Sequence, residues 1–79
     1  MLDVAPTLLF RPDQIKELRE GLGLTQQEFA DRIGVAKQSV SSWETGTSEP
    51  SISSLLRIVN TCGAKLLSFF DAAEEEAKR

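Results

Sequence analysis

Residues 24–46 read LTQQEFADRIGVAKQSVSSWETG, and this stretch predicts two short helices joined by a tight turn. Thr25 is a favourable N-cap, and Glu28 three residues later completes a capping box. The first helix should run from about Gln26 to Ile33. Gly34 should end it, because glycine readily adopts the left-handed conformation that terminates helices.

The second predicted helix, from about Lys37 to Thr45, has two contrasting faces. Val40 and Trp43 are spaced i, i+3 and should face the interior. The opposite face is polar but almost uncharged and carries one amide and three hydroxyls: Gln38, Ser41, Ser42 and Thr45. Such a face either meets only water or reads base edges, since amides and hydroxyls both donate and accept hydrogen bonds. The helix-turn-helix arrangement favours DNA, because it places its second helix in the major groove.

Length and composition restrict the class of protein. Seventy-nine residues predict one domain, and a single cysteine, Cys62, excludes an internal disulfide. The net charge of −3 argues against strong non-specific binding to nucleic acid. The chain has no histidine and no phosphate-binding glycine loop, so we expect a protein that is not an enzyme and needs no cofactor or metal ion. Its apolar N-terminal run is too short for a signal peptide or membrane span, which predicts a soluble cytoplasmic protein.

The flanking segments predict further helices around one core. Helices are expected at about 12–21 and 52–61, the latter capped by Ser51 and ended by Gly63, and a fifth element starts with AKLLSFF, residues 64–70. The apolar stripe of helix 52–61 should be Ile52, Leu55, Leu56 and Val59, with Ile58 adjacent. The predicted core of the domain is Ile15, Leu18, Leu22, Phe29, Ile33, Val40, Trp43, Leu55 and Val59.

Three segments follow from this reading. Residues 1–11 form an apolar arm, either a short strand or a docking segment that packs on its own chain or across a dimer. Residues 12–70 form the helix-turn-helix domain. Residues 71–79 are strong helix formers and predict an acidic helical tail.

The run IKELREGLGLTQQEFADRIGVAKQSVSSWETGTSEPS, residues 15–51, resembles the Cro/C1-type (XRE) helix-turn-helix family. Its specific parts are LTQQEFA, IGV, SVSSWETG and EPS, and the resemblance covers about residues 12–70. It implies an all-α, compact bundle of four to five helices of the lambda-repressor-like type. It also implies sequence-specific binding to double-stranded DNA as a transcriptional regulator, most simply a repressor.

The resemblance also assigns residue roles. Periodicity alone makes Arg19 a surface arginine, but in similar domains the Arg of LRE pairs with the Glu of WE, here Glu44. Base contacts are expected from the recognition helix at Lys37, Gln38, Ser41 and Ser42. Phosphate contacts are expected at Gln26, Ser39 and Thr47.

Two positions depart from the family pattern. Thr47, Ser48 and Glu49 occupy a loop that often carries Lys or Arg in the family, which weakens the expected affinity for phosphates. Ala36 stands at the N-cap of the recognition helix, where a hydroxyl would cap better. Packing rather than capping should therefore order that helix.

A homodimer on a near-palindromic operator is expected, because one recognition helix reads only a few base pairs. The C-terminal apolar residues Leu66, Leu67, Phe69 and Phe70 are the predicted dimer contacts; alternatively, all four fold inward. One rival function is an antitoxin that represses its own operon and also binds a toxin protein. Another is a protein-interaction module that keeps the fold without strong DNA binding.

Overall fold

Four α-helices, a short 3-10 helix and a two-stranded sheet make up the part of the chain, residues 7–73, that this computed structural model describes. In order these are β1 (Thr7–Phe10), α1 (Pro12–Gly21), α2 (Gln26–Ile33), α3 (Lys37–Thr45), α4 (Ile52–Cys62), the 3-10 helix (Leu66–Phe69) and β2 (Phe70–Ala73). The predicted compact bundle of short helices is confirmed. Among these helices none is long and apolar enough to cross a membrane.

The ends of the helices lie where local chemistry predicts them. The Glu28 backbone N–H donates to Thr25 Oγ1 at 3.0 Å, and the Thr25 N–H donates to Glu28 Oε1 at 2.9 Å, so the capping box is formed. Gly34 follows α2 with a φ of 76°, a left-handed conformation that costs glycine little. The Ser51 hydroxyl accepts the Ser54 N–H at 3.1 Å and caps α4. These caps satisfy backbone groups that helix ends otherwise leave unpaired.

One apolar core joins all the helices. Six predicted core residues are 5% exposed or less: Ile15, Phe29, Ile33, Val40, Trp43 and Leu55. Leu18 and Val59 are partly buried against them. The core also contains Ala30, Ile58 and Phe69, the last only 1% exposed. Because α3 packs its buried side chains against both α1 and α2, its opposite face is left toward solvent.

Three apolar residues were wrongly assigned to the interior. Leu22 is 41% exposed and occupies the C-cap of α1, one residue beyond the end of the helix at Gly21. In α4, Ile52 and Leu56 are 63% and 44% exposed. The buried stripe of α4 instead includes Leu55 and Ile58, because apolar residues cover more than one side of this helix and periodicity alone cannot choose between them.

A short antiparallel ribbon joins the two ends of the described chain. β1 pairs with β2 in a register that places Leu8 opposite Ala72 and Phe10 opposite Phe70. The Phe10 and Phe70 rings meet edge to face, with centroids 6.2 Å apart, and both pack on the core. The apolar arm is thus a strand that docks on its own chain, at least from residue 7 onward, because residues 1–6 lie outside the described part.

The acidic helical tail predicted for residues 71–79 is wrong over residues 71–73, which belong to β2. Local helix propensity is weak beside pairing with a strand that the chain supplies from its other end. Residues 74–79 lie outside the described range.

Candidate nucleic-acid interface

Part of the outward face of α3 carries polar side chains that no other described residue engages. Lys37 and Gln38 are exposed at the start of the helix, and Ser41 and Ser42 are half-buried about one turn later. Within residues 7–73 none of these four side chains forms a hydrogen bond or an ion pair. On the inner side, Val40 and Trp43 hold the helix in the core. The arrangement therefore combines a rigid backbone with uncommitted donors and acceptors.

The start of α3 borders an open recess. Its volume is about 270 Å³, and it is lined by Lys37, Gln38 and Ser41. Ala36 gives no side-chain cap, as its sequence predicts, and its carbonyl accepts the Ser39 N–H at 3.0 Å. The backbone N–H groups of Lys37 and Gln38 precede the first intrahelical bond and point out of the helix end, which suits an acceptor such as a base edge or phosphate oxygen.

A second recess, of about 350 Å³, lies along α2 and has the wrong charge for a nucleic acid. Its lining is Leu24, Glu28, Asp31 and Arg32. Two carboxylates against one guanidinium disfavour a phosphate there. The smaller recess at α3 has no carboxylate in its lining.

A partly buried ion pair ties α1 to α3, as the resemblance implies. Arg19 Nε donates to Glu44 Oε2 at 2.6 Å, and Arg19 Nη2 donates to Glu44 Oε1 at 3.0 Å. The remaining guanidinium nitrogen, Nη1, donates to the Leu24 carbonyl at 2.9 Å. The Arg19 and Glu44 side chains are only 11% and 5% exposed. This two-pronged contact fixes how α3 is oriented against α1.

The charges of this pair are mutually stabilised. Burial alone would raise the pKa of Glu44, but hydrogen bonds from Arg19 and Gln26 outweigh it, so that the pKa lies below its ordinary value. The hydrogen bond to Glu44 raises the pKa of Arg19 despite its own burial. Both groups therefore stay ionised at neutral pH, and the pair adds no net charge to the interface.

Gln26 belongs to the same network, a link that the sequence did not reveal. Its Nε2 donates to Glu44 Oε1 at 3.1 Å. An amide carries two N–H groups, so one remains for a phosphate while the other holds the side chain in place. Gln26 also begins α2, where the first backbone N–H groups lack intrahelical acceptors. The carboxylate of the ion pair thus orients the predicted phosphate contact.

Polar groups at the end of α3 and in the loop that follows it form hydrogen bonds with one another. The Thr45 hydroxyl lies 3.2 Å from the Ser41 and Ser42 carbonyls and 2.9 Å from the Thr47 hydroxyl. Since Thr45 has one hydroxyl hydrogen and donates it to a carbonyl, the Thr47 hydroxyl donates to Thr45. The Thr47 backbone N–H also donates to Ser42 O, at 2.9 Å. A phosphate contact by the Thr47 hydroxyl stays a prediction, and it would have to break this bond, because a phosphate oxygen accepts and Thr47 has only one hydroxyl hydrogen to donate.

Arg57 is a further residue that sequence reasoning missed. From α4, its Nη1 donates to the carbonyls of Gly34, at 3.2 Å, and Ile33, at 3.4 Å. It thereby binds the end of α2 at the turn that leads into α3. The sequence offers only a general rule for this contact, which is that basic side chains often donate to the last carbonyls of a helix. No sequence pattern shows that a residue on another helix would do so.

The proposed patch of C-terminal dimer contacts is not a single exposed surface. Phe69 is in the core, so its prediction as an exposed contact is wrong, because the 3-10 helix turns it inward. Leu66 and Phe70 are partly buried against the core. Only Leu67, at 68% exposed, is open to a partner.

Comparison with known proteins identifies the family. A helix-turn-helix family model matches residues 15–69. An uncharacterized HTH-type transcriptional regulator from Methanothermobacter thermautotrophicus is 34% identical over 65 residues, which cover 82% of this chain and 94% of the relative. The chain belongs to the Cro/C1-type helix-turn-helix family of transcriptional regulators. Membership of a family of transcriptional regulators confirms the expectation that this chain is not an enzyme.

Two solved structures share the fold. The biofilm regulator SinR of Bacillus subtilis, crystallised in complex with DNA, is 29% identical with a TM-score of 0.68 and matches 73% of this chain and 94% of its own. The P22 c2 repressor, in complex with a synthetic operator, has a TM-score of 0.65 over 70% of this chain and 83% of its own. At 24% identity, the second likeness shows the fold alone.

Proposed function

We propose that this Cro/C1-type protein is a sequence-specific DNA-binding repressor that acts in the cytoplasm and reads the major groove with α3 as a homodimer. The observation that carries the proposal concerns four side chains on the outward face of α3. The polar groups of these side chains have no partner among the described residues, while the core holds the other side of the helix; the four are Lys37, Gln38, Ser41 and Ser42. A helix that only met water would more often carry paired charges.

The base contacts follow from the chemistry of the side chains. The Gln38 amide can bond adenine N6 and N7 together, and Lys37 can reach guanine O6 and N7. Ser41 and Ser42 lie about one turn further along the helix, within reach of adjacent bases or thymine methyl groups. The SinR structure supports DNA as the ligand, since that related domain was crystallised in complex with DNA.

Phosphate contacts should orient the domain rather than provide sequence preference. Gln26 is the strongest candidate because Glu44 holds its amide and the start of α2 adds free backbone N–H groups. Ser39 is half-buried on the flank of α3 and is the second candidate. With Glu49 in the loop and a net charge of −3, non-specific affinity should be low and affinity should depend on a second copy. A two-fold dimer then requires a near-palindromic site with half-sites about 10 bp apart.

The test is selection of bound duplexes from a random pool, followed by titration of three glutamine variants. Gln38→Ala should weaken the selected site by about 1–3 kcal/mol and relax preference at one base position. Gln26→Ala should weaken all sequences about equally, because it contacts phosphate. Gln14→Ala on α1, whose amide bonds Glu17 at 3.2 Å, is the matched control and should change neither. If wild type enriches no sequence, the protein is an interaction module instead; if Gln38→Ala leaves the selected motif unchanged, α3 is not the reader.

A further inference from the structure

β1 has one edge that β2 does not use. The Arg11 N–H donates to the Phe69 carbonyl at 2.7 Å, directly beyond the Phe10–Phe70 pair. In an antiparallel ladder, hydrogen-bonded and non-hydrogen-bonded pairs alternate. Leu9 therefore exchanges bonds with β2, whereas Leu8 and Phe10 direct their backbone N–H and C=O groups away from it. Within residues 7–73 no other backbone group bonds to them, and we call them the free edge of β1.

This edge is apolar and uncharged. Thr7–Phe10 carries no ionisable side chain, and Leu8 and Leu9 are 53% and 50% exposed. Unpaired strand edges with exposed apolar residues are templates for another strand. The opposite edge, on β2, is less suited, because Asp71 lies in that strand and the Phe70 N–H already donates to Leu67 O.

We propose that the free edge of β1 pairs antiparallel with the same edge of a second copy, which forms a four-stranded sheet β2–β1–β1–β2 at the centre of the homodimer. The inference rests on the homodimer of the proposed function and names its interface. The register that uses both outward-facing residues places Leu8 opposite Phe10 of the second copy. It gives four backbone hydrogen bonds and sets the two Leu9 residues opposite each other on the two-fold axis.

The charges favour a second copy of this chain as the occupant. In this register Arg11 faces Thr7 of the second copy rather than another arginine. Each Arg11 keeps its own Asp71, with Nη1 3.5 Å from the carboxylate. The two Asp71 residues lie on the outer strands, three strand spacings or roughly 14 Å apart, which exceeds the Debye length of about 8 Å. Pairing through β2 would instead bring the two Asp71 carboxylates together.

The experiment is sedimentation equilibrium of the full chain without DNA. Wild type should sediment at about twice the chain mass of 8.7 kDa. Leu9→Glu alone and Leu9→Lys alone should each sediment as monomers, because facing residues of a non-hydrogen-bonded pair lie about 4.5–5.5 Å apart and like charges repel there. An equimolar mixture of the two variants should recover the dimer. The mixture can recover the dimer only if residue 9 of one copy lies opposite residue 9 of the other across the two-fold axis.

Two further variants complete the design. Leu8→Pro removes an N–H that β2 does not use, so it should keep the circular dichroism spectrum of wild type and weaken association at least tenfold. Leu67→Glu alters the exposed residue of the C-terminal segment and should leave the dimer intact. The proposal is overturned by a monomeric wild type, by a dimeric Leu9→Glu, or by a Leu67→Glu variant that dissociates while Leu8→Pro does not.

DNA binding is measured separately, so that the two proposals fail differently. A wild-type dimer that Leu9→Glu splits, but that enriches no DNA sequence, supports the interface and refutes the repressor. If Leu9→Glu is a dimer and binds the selected operator as tightly as wild type does, the proposed interface is refuted and the proposed repressor function is not.

Discussion

Truncation of Arg19 and Glu44 should give strongly non-additive losses of stability. Arg19→Ala leaves the Glu44 carboxylate, 5% exposed, with only the Gln26 amide as partner, a loss of about 3 kcal/mol. Glu44→Ala is milder, at roughly 1–2 kcal/mol, because Arg19 keeps its bond to the Leu24 carbonyl and has Glu20 at 3.9 Å. The double variant should lose about 2–3 kcal/mol, well below the sum, since neither charge is then left unpaired.

The assay is urea denaturation followed by circular dichroism at pH 7, with all variants compared at equal protein concentration. The matched control is the exposed pair Gln14 and Glu17 on α1, joined by one hydrogen bond of 3.2 Å. Its cycle should show a coupling below about 0.5 kcal/mol, because solvent competes for both partners. A total stability of about 5–10 kcal/mol is ample to resolve the difference.

Additive losses for Arg19 and Glu44, within about 0.5 kcal/mol, would refute the reasoning. They would mean that the two side chains do not depend on each other in the folded protein. A coupling of the expected size in stability, together with weaker DNA binding by Glu44→Ala, would show that the pair also sets the orientation of α3.

Three other perturbations test separate features. The pKa of Glu44 is lower in the folded protein than in the unfolded chain, where it is about 4.3. The stability that its charge provides is therefore complete above the unfolded pKa and is lost as the pH falls through the folded pKa. The urea midpoint of wild type should then drop more below pH 5 than that of Glu44→Gln. Phe69→Ala should cost about 3–5 kcal/mol in thermal unfolding, whereas Leu67→Ala should stay within about 0.5 kcal/mol. Arg57→Ala should lower stability by about 1 kcal/mol, and Arg57→Lys should restore part of it; no change would mean the α2 cap is unimportant.

The helix boundaries could be predicted because each depends on nearby residues. Thr25 and Glu28 bond to each other three residues apart, and Gly34 ends α2 through its own backbone conformation. The ion pair of Arg19 with Glu44 was predictable only through the family resemblance, since 25 residues separate the partners. Periodicity alone had placed Arg19 on the surface.

The wrong predictions concern positions whose burial or secondary structure depends on tertiary contacts. Ile52 and Ile58 are equally apolar, and only packing of α4 against the other helices buries one and exposes the other. The strand at Phe70–Ala73 required a partner from the far end of the chain, which no local window contains. Arg57 likewise bonds across helices to a turn 23 residues away. Such features depend on how helices meet rather than on the sequence of any one helix.

The ribbon has a consequence for the order of folding. Phe10 and Phe70 are 60 residues apart, and closing a loop of that length costs roughly 3–4 kcal/mol of chain entropy. A two-stranded ribbon of four residues per strand is marginal by itself and cannot offset that cost. The helices must first bring α1 and the 3-10 helix together, so the ribbon closes late and opens early. In the single chain, outside a dimer, amide hydrogens of Leu9 and Asp71 should then exchange through partial openings that leave α3 folded.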